Sequence, residues 1–139
     1  MPFARSPALQ TFGVGAVDDD EVRVVVVDDL VDAANALAMA LQIDGYAVRT
    51  ANDGREALSV IAEHRPHCVM LDVDMPVVDG CELSLRLRER YGSDIVLIAM
   101  SGRDESDQRV ADTFDRVDHY FRKPFNLAML RKILPPQCA

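Results

Sequence analysis

The residues of this sequence best suited to chemistry stand where short apolar runs stop. The run over residues 22–27 stops at Asp28-Asp29, that over 67–71 at Asp72 and that over 95–100 at Ser101-Gly102, and a short expected strand over 119–122 ends at Lys123-Pro124. Three carboxylates packed together repel, and at least one resists ionising unless a cation balances them. A hard divalent ion held by oxygens and water answers that need, and Mg²⁺ is the natural choice. A lysine and a hydroxyl make little sense as ligands of such an ion, but both suit the oxygens of a phosphoryl group. Brought into one crevice, the set reads as a site at which an aspartate holds a phosphoryl group.

Convergence depends on the elements that carry these residues. The first run, Val22-Arg23-Val24-Val25-Val26-Val27, is β-branched and nearly continuous, as a parallel strand buried on both faces requires. From Leu30, apolar residues recur at Val31, Ala34, Leu37, Ala38 and Leu41, with Gly45 where a helix would stop. The alternation continues. A strand is expected over 46–51, then a helix over 54–64 capped by Asn52 or Asp53, and then a strand over 67–71 ending at Asp72. A helix over 80–90 follows, then a strand over 94–100, a weaker helix over 104–114, a strand over 119–122 and a last helix over 126–134. Five strands alternating with five helices predict an α/β fold, a doubly wound, open parallel sheet with helices on both faces and right-handed crossovers. In such a sheet the site lies beyond the carboxyl ends of the strands, where the strand order reverses.

Four segments carry a resemblance: Val25-Val26-Val27-Asp28-Asp29, Leu71-Asp72-Val73-Asp74-Met75-Pro76-Val77-Val78-Asp79-Gly80, Ile98-Ala99-Met100-Ser101-Gly102 and Tyr120-Phe121-Arg122-Lys123-Pro124-Phe125. In order and spacing they resemble the signature segments of the response regulator receiver domains of two-component signal transduction. The resemblance covers about residues 22–134 and implies a flavodoxin-like sheet of strand order 2-1-3-4-5. It also implies that Asp72 is the phosphoacceptor, taking a phosphoryl group from a histidine kinase or histidine phosphotransfer protein. Asp28, Asp29, Asp72 and the backbone carbonyl of Asp74 would hold Mg²⁺. Lys123 would pair with Asp72 and then with the phosphoryl group, Ser101 would bind another phosphoryl oxygen, and Tyr120 would rotate as a switch. The Lys123-Pro124 bond would be cis, Gly80 would shape the loop beneath the acceptor, and Gly102 would keep bulk from the donor. Ser101 stands where threonine is at least as frequent in the family, and 116–119 lacks the usual small Gly-Ala turn. The side chains of Asp74 and Arg103 stand where the family tunes the lifetime of the phosphoryl group, and opposite charges would let them pair over the site.

Composition fits this reading. The chain has 139 residues, 49% of them hydrophobic, enough for one core. Residues 1–21 mix Pro, Gly, Ser and acids without periodicity and read as a flexible N-terminal extension, leaving 22–134 as the folded domain and 135–139 as a tail. A net charge of -8 argues against direct binding to nucleic acid. No apolar run reaches the roughly 18 residues of a membrane span, and Cys68, Cys81 and Cys138 lack metal or CxxC spacing. A cytoplasmic protein is expected. His64, His67 and His119 share no ligand spacing and read as satisfied or solvated residues, and Gly13-Val14-Gly15 precedes the first strand instead of following it.

A free-standing regulator is the simplest expectation, although Pro135-Pro136 could start a linker. It would be a signalling domain and not an enzyme with its own substrate, binding a downstream protein through the fourth predicted helix, fifth strand and fifth predicted helix, with a phosphorylation-dependent dimer left open. Two rivals remain. A haloacid dehalogenase-type phosphatase could use Asp72 and Asp74 as an Asp-x-Asp pair, but that motif normally ends the first core strand. A receiver-like binding module that never accepts phosphate would have little use for the intact acid, hydroxyl and amine set.

Overall fold

A computed structural model of the chain describes residues 21–75, 80–102, 113, 116–124 and 126–134. The extension over 1–20, the tail over 135–139, Arg103 and most of the helix expected over 104–114 lie outside the described residues. The described elements are β1 (Arg23–Val27), α1 (Val31–Ile43), β2 (Ala47–Ala51), α2 (Gly54–His64), β3 (Cys68–Asp72), α3 (Gly80–Tyr91), a 3₁₀ turn (Gly92–Asp94), β4 (Val96–Ser101), β5 (His119–Arg122) and α4 (Leu127–Arg131). The five strands form one parallel sheet in the order β2-β1-β3-β4-β5.

Strand residues alternate between two apolar layers, because successive side chains point to opposite faces. Val25, Val27, Val69, Leu71, Leu97 and Ala99 pack with Ala57, Val60 and Ile61 of α2 and Leu83 and Leu87 of α3. Val24, Val26, Cys68, Met70, Ile98 and Met100 pack on the other face with Ala34 and Leu41 of α1 and Leu130 of α4. β3 is buried at all five positions and β1 at its last four, whereas the edge strands β2 and β5 are mostly not. Full burial of a Val, Leu or Met side chain contributes roughly 1.5–3 kcal/mol, so the two central strands anchor the sheet.

Local chemistry closes the helices. Asp53 caps α2 by accepting from the Glu56 N–H at 2.7 Å, Glu56 in turn accepts from the Asn52 N–H at 2.6 Å, and Asn126 caps α4 by accepting from the Met129 N–H. Gly45, at a φ of 102°, ends the turn after α1, where a side chain would be strained. Arg131 of α4 reaches Asp44 after α1 at 2.8 Å, tying the two helices of that layer. Among the described residues, no helix is long and apolar enough to cross a membrane.

Candidate functional site

Strand register brings the acids together. Val27 of β1 is level with Leu71 of β3, so the next residues, Asp28 and Asp72, emerge side by side from neighbouring strands. The order runs to β2 on one side of this pair and to β4 and β5 on the other, so the crevice lies at the reversal point. Asp28 and Asp72 are each only 3% exposed, while Asp29 is exposed. One carboxylate oxygen from each of the three lies within 4.8 Å of the others.

Lys123 completes the charge arrangement. β4 is level with β5 through Ser101 and Arg122, and the Lys123 N–H donates to the Ser101 carbonyl at 2.8 Å. The Lys123-Pro124 bond is cis. Nζ lies 3.2 Å from Asp72 Oδ2 and 3.5 Å from Asp28 Oδ2. Burial alone would lower the lysine pKa, but the carboxylates of Asp72 and Asp28 outweigh it and raise it. The Asp72 pKa is raised, chiefly by burial and further by the charge of Asp28, against the opposing pull of the Asp74 N–H and Lys123. A carboxyl so placed gains from any added positive charge, and the three converging carboxylates facing the Lys123 ammonium form a donor set that fits a hard divalent cation.

Backbone contacts hold the acids still. The Asp74 N–H donates to Asp72 Oδ1 at 2.8 Å, the Leu30 N–H donates to Asp28 Oδ1 at 3.0 Å, and the Asn52 side-chain amide donates to the Asp28 carbonyl at 3.0 Å. Gly80 opens α3 hard against the acceptor strand. A Cβ there would sit 2.4 Å from both the Asp72 carbonyl oxygen and Val73 Cα. Gly102 is different, since a Cβ would meet only Asp74 Oδ2 at 3.9 Å, ordinary contact.

Ser101 is buried, and its hydroxyl donates to Asp74 Oδ1 at 2.9 Å, while the Gly102 N–H donates to Asp74 Oδ2 at 3.0 Å. The Asp74 side chain therefore spans from the end of β3 to the end of β4. Its expected pairing with Arg103 falls on a residue outside the described set. Tyr120 is half-buried and packs against the layer that contains Ala99.

Sequence reasoning missed two supporting groups. Asn52 was expected only as an alternative cap of α2, yet it grips the Asp28 carbonyl. The other is the pair formed by Arg88 of α3 and Asp118 just before β5. Arg88 Nη2 lies 2.6 Å from Asp118 Oδ2, its guanidinium also donates to the carbonyls of Arg116, Gly92 and Ile95, and the Leu97 N–H donates to Asp118 Oδ2 at 2.8 Å. Opposite charge was the only sequence signal for that pair. His64 and His67 lie near the opposite end of the sheet. His67 Nδ1 accepts from the Arg23 N–H, and His64 Nε2 lies 3.0 Å from the Ala47 carbonyl oxygen, a satisfied role as expected. Cys68 is a buried thiol whose pKa burial pushes up.

Comparison with known proteins agrees with this geometry. The profile described as "Response regulator receiver domain" matches residues 24–135. The response regulator MprA of Mycolicibacterium vanbaalenii is 41% identical over 122 residues, covering 82% of this chain and 52% of the relative. MprA of Mycobacterium tuberculosis is 39% identical over 126 residues, covering 85% and 54%. The chain thus spans about half the length of these relatives. Among solved structures, the chemotaxis protein CheY4 of Vibrio cholerae superposes with a TM-score of 0.73 at 28% identity, covering 82% of this chain and 99% of that one. The response regulator TrrA of Thermotoga maritima, solved with Mg²⁺ and BeF, gives a TM-score of 0.68 at 30% identity, covering 80% and 94%.

Proposed function

Since the chain belongs to the response regulator receiver domain family, we propose that Asp72 is its phosphoacceptor and that the domain switches a partner when Asp72 is phosphorylated. The observation that carries this reading is the buried Asp72 carboxylate, held by the Asp74 N–H and Lys123 and facing Asp28 and Asp29. In the step proposed, a carboxylate oxygen of Asp72 attacks the phosphorus of a phosphohistidine. The bond to the donor imidazole breaks, and that ring leaves with the electron pair and takes up a proton. An acyl phosphate results.

Asp28, Asp29, Asp72 and the Asp74 carbonyl would hold Mg²⁺, which when bound supplies positive charge to the phosphoryl oxygens. Lys123 orients Asp72 and offers its ammonium to the phosphoryl group. Ser101 offers a hydroxyl from the end of β4. Catalysis of this kind rests on positioning and charge neutralisation. The Asp-x-Asp phosphatase alternative gains nothing here, because Asp72 ends the third strand and the Asp74 carboxylate is engaged by Ser101 and Gly102.

For partners, a phosphohistidine-bearing protein is placed against the outer face of α1. Leu30, just before α1, and Val31, Met39 and Ile43 of α1 are exposed, Ile43 at 84%, and Leu30 directly follows Asp28 and Asp29. Exposed apolar side chains along the helix that follows the acid pair support a partner surface there. A downstream protein would bind the face that includes β5 and α4, and a cytoplasmic setting suits both. Incubation with a small acyl-phosphate donor and Mg²⁺, followed by intact mass, tests the reading. One phosphoryl group per chain is expected, and catalytic release of phosphate without stoichiometric labelling would overturn it.

A further inference from the structure

The Asp74 carboxylate occupies a donor that the phosphoacceptor reading needs elsewhere, the Ser101 hydroxyl, and holds the Gly102 N–H beside it. Its Oδ1 accepts from the Ser101 hydroxyl at 2.9 Å and its Oδ2 from the Gly102 N–H at 3.0 Å. Ser101 is fully buried, and Asp74 is partly so. A serine hydroxyl has one proton and donates to one oxygen at a time. Donation to a phosphoryl oxygen on Asp72 therefore requires that Ser101 release Asp74.

We propose that Asp74 is a positioning residue for the switch, a latch whose carboxylate holds the Ser101 hydroxyl and the Gly102 amide in the unphosphorylated protein and competes for them with the phosphoryl group. The proposal rests on Asp72 being the acceptor. Both competitors are anions, so both form charge-assisted bonds, and the exchange trades one strong acceptor for another. The balance between the two states is then set by what Asp74 offers. Ser101 and Gly102 at the end of β4 are tied to Asp74 after β3 while the latch is closed, and the Ser101 hydroxyl is freed to turn toward Asp72 when it opens. The backbone of Asp74 is a separate matter, since its N–H continues to serve Asp72 whatever the side chain does.

The test is a double-mutant cycle on the affinity for beryllofluoride with Mg²⁺, a stable mimic of the phosphoryl group, measured by calorimetry. Asp74→Ala is expected to tighten binding about tenfold when Ser101 is present, the size of one hydrogen bond to a charged group. In the Ser101→Ala background, the same change should tighten binding less than about threefold, because the Ser101 hydroxyl is no longer there to be released. Asp74→Asn, which keeps the shape and an acceptor oxygen, should fall between wild type and Asp74→Ala. The Gly102 amide should exchange with solvent faster in Asp74→Ala without ligand, a local change that general charge removal would not produce. Equal tightening in both backgrounds, or none, overturns the latch and leaves the phosphoacceptor reading standing. Failure of beryllofluoride to bind the wild-type protein overturns both.

Discussion

Replacing Lys123 with methionine keeps most of the apolar stem and deletes its ammonium from the crevice that holds the carboxylates of Asp28, Asp29 and Asp72. Nζ lies 3.2 Å from Asp72 Oδ2 and 3.5 Å from Asp28 Oδ2. At an effective dielectric of about 20, each attraction amounts to about 5 kcal/mol. On the same scale, two carboxylate oxygens within 4.8 Å of each other repel by at least about 3.5 kcal/mol. Lys123 is 31% exposed and is partly hydrated, so most of the attraction is cancelled by the cost of holding it there. Breaking a buried pair costs about 3–5 kcal/mol, and partial exposure reduces the expected loss to about 2 kcal/mol. For a domain of this size that is a fall of about 8 °C in Tm. Thermal unfolding followed by circular dichroism at neutral pH, in chelator, reads it directly. Millimolar Mg²⁺ should then stabilise Lys123→Met more than the wild type, because the ion supplies the charge that the variant lacks. A loss below about 0.5 kcal/mol, the scale of an ordinary surface change, would refute the charge-balance argument. So would an equal Mg²⁺ effect on both proteins.

Other outcomes follow from the same geometry. The folded Asp72 pKa is raised mainly by burial, so its contribution favours the fold below the unfolded aspartate value and is lost as pH rises through the folded one. Asp72→Asn should therefore raise Tm at neutral pH in chelator and flatten the acid limb of the stability profile, and an unchanged profile would contradict the shift. Gly80→Ala forces a Cβ to 2.4 Å from backbone atoms and should cost about 2 kcal/mol or more in urea unfolding. Gly102→Ala should cost under about 0.5 kcal/mol, and equal losses at the two glycines would count against the close approach of α3. Ile43→Glu should leave labelling by a small acyl phosphate intact while slowing transfer from a phosphohistidine-bearing partner at least about tenfold, a loss of about 1.4 kcal/mol. Equal rates with that partner would remove α1 from its docking face.

Much of this fold was legible because β1 and β3 are buried on both faces and so read as continuous apolar runs that end at the acids. The helix over 54–64 carries its cap and its stop locally, in Asp53 and in the Arg65-Pro66 break, and matches α2 end to end. The last helix was expected over 126–134 but is helical only over Leu127–Arg131, since an apolar pattern does not show where the final turns loosen. Asp28, Asp29, Asp72 and Lys123 converge as their strand-end positions implied. What spacing could not show is which donor each carboxylate takes. Nothing in Asp72-Val73-Asp74 says that the second acid turns toward β4, or that Asn52 holds Asp28 from 24 residues away. Those contacts depend on loop geometry fixed by tertiary packing. The same holds for Arg88 and Asp118, 30 residues apart, which pair just before β5.

The most direct measurement is to phosphorylate the protein with a small acyl-phosphate donor and Mg²⁺, reduce it with borohydride, and map the modified residue by peptide mass. Conversion of Asp72 alone, abolished by chelator and by Asp72→Asn, is the expected result. Modification at another acid, or labelling that persists in Asp72→Asn, would contradict the account.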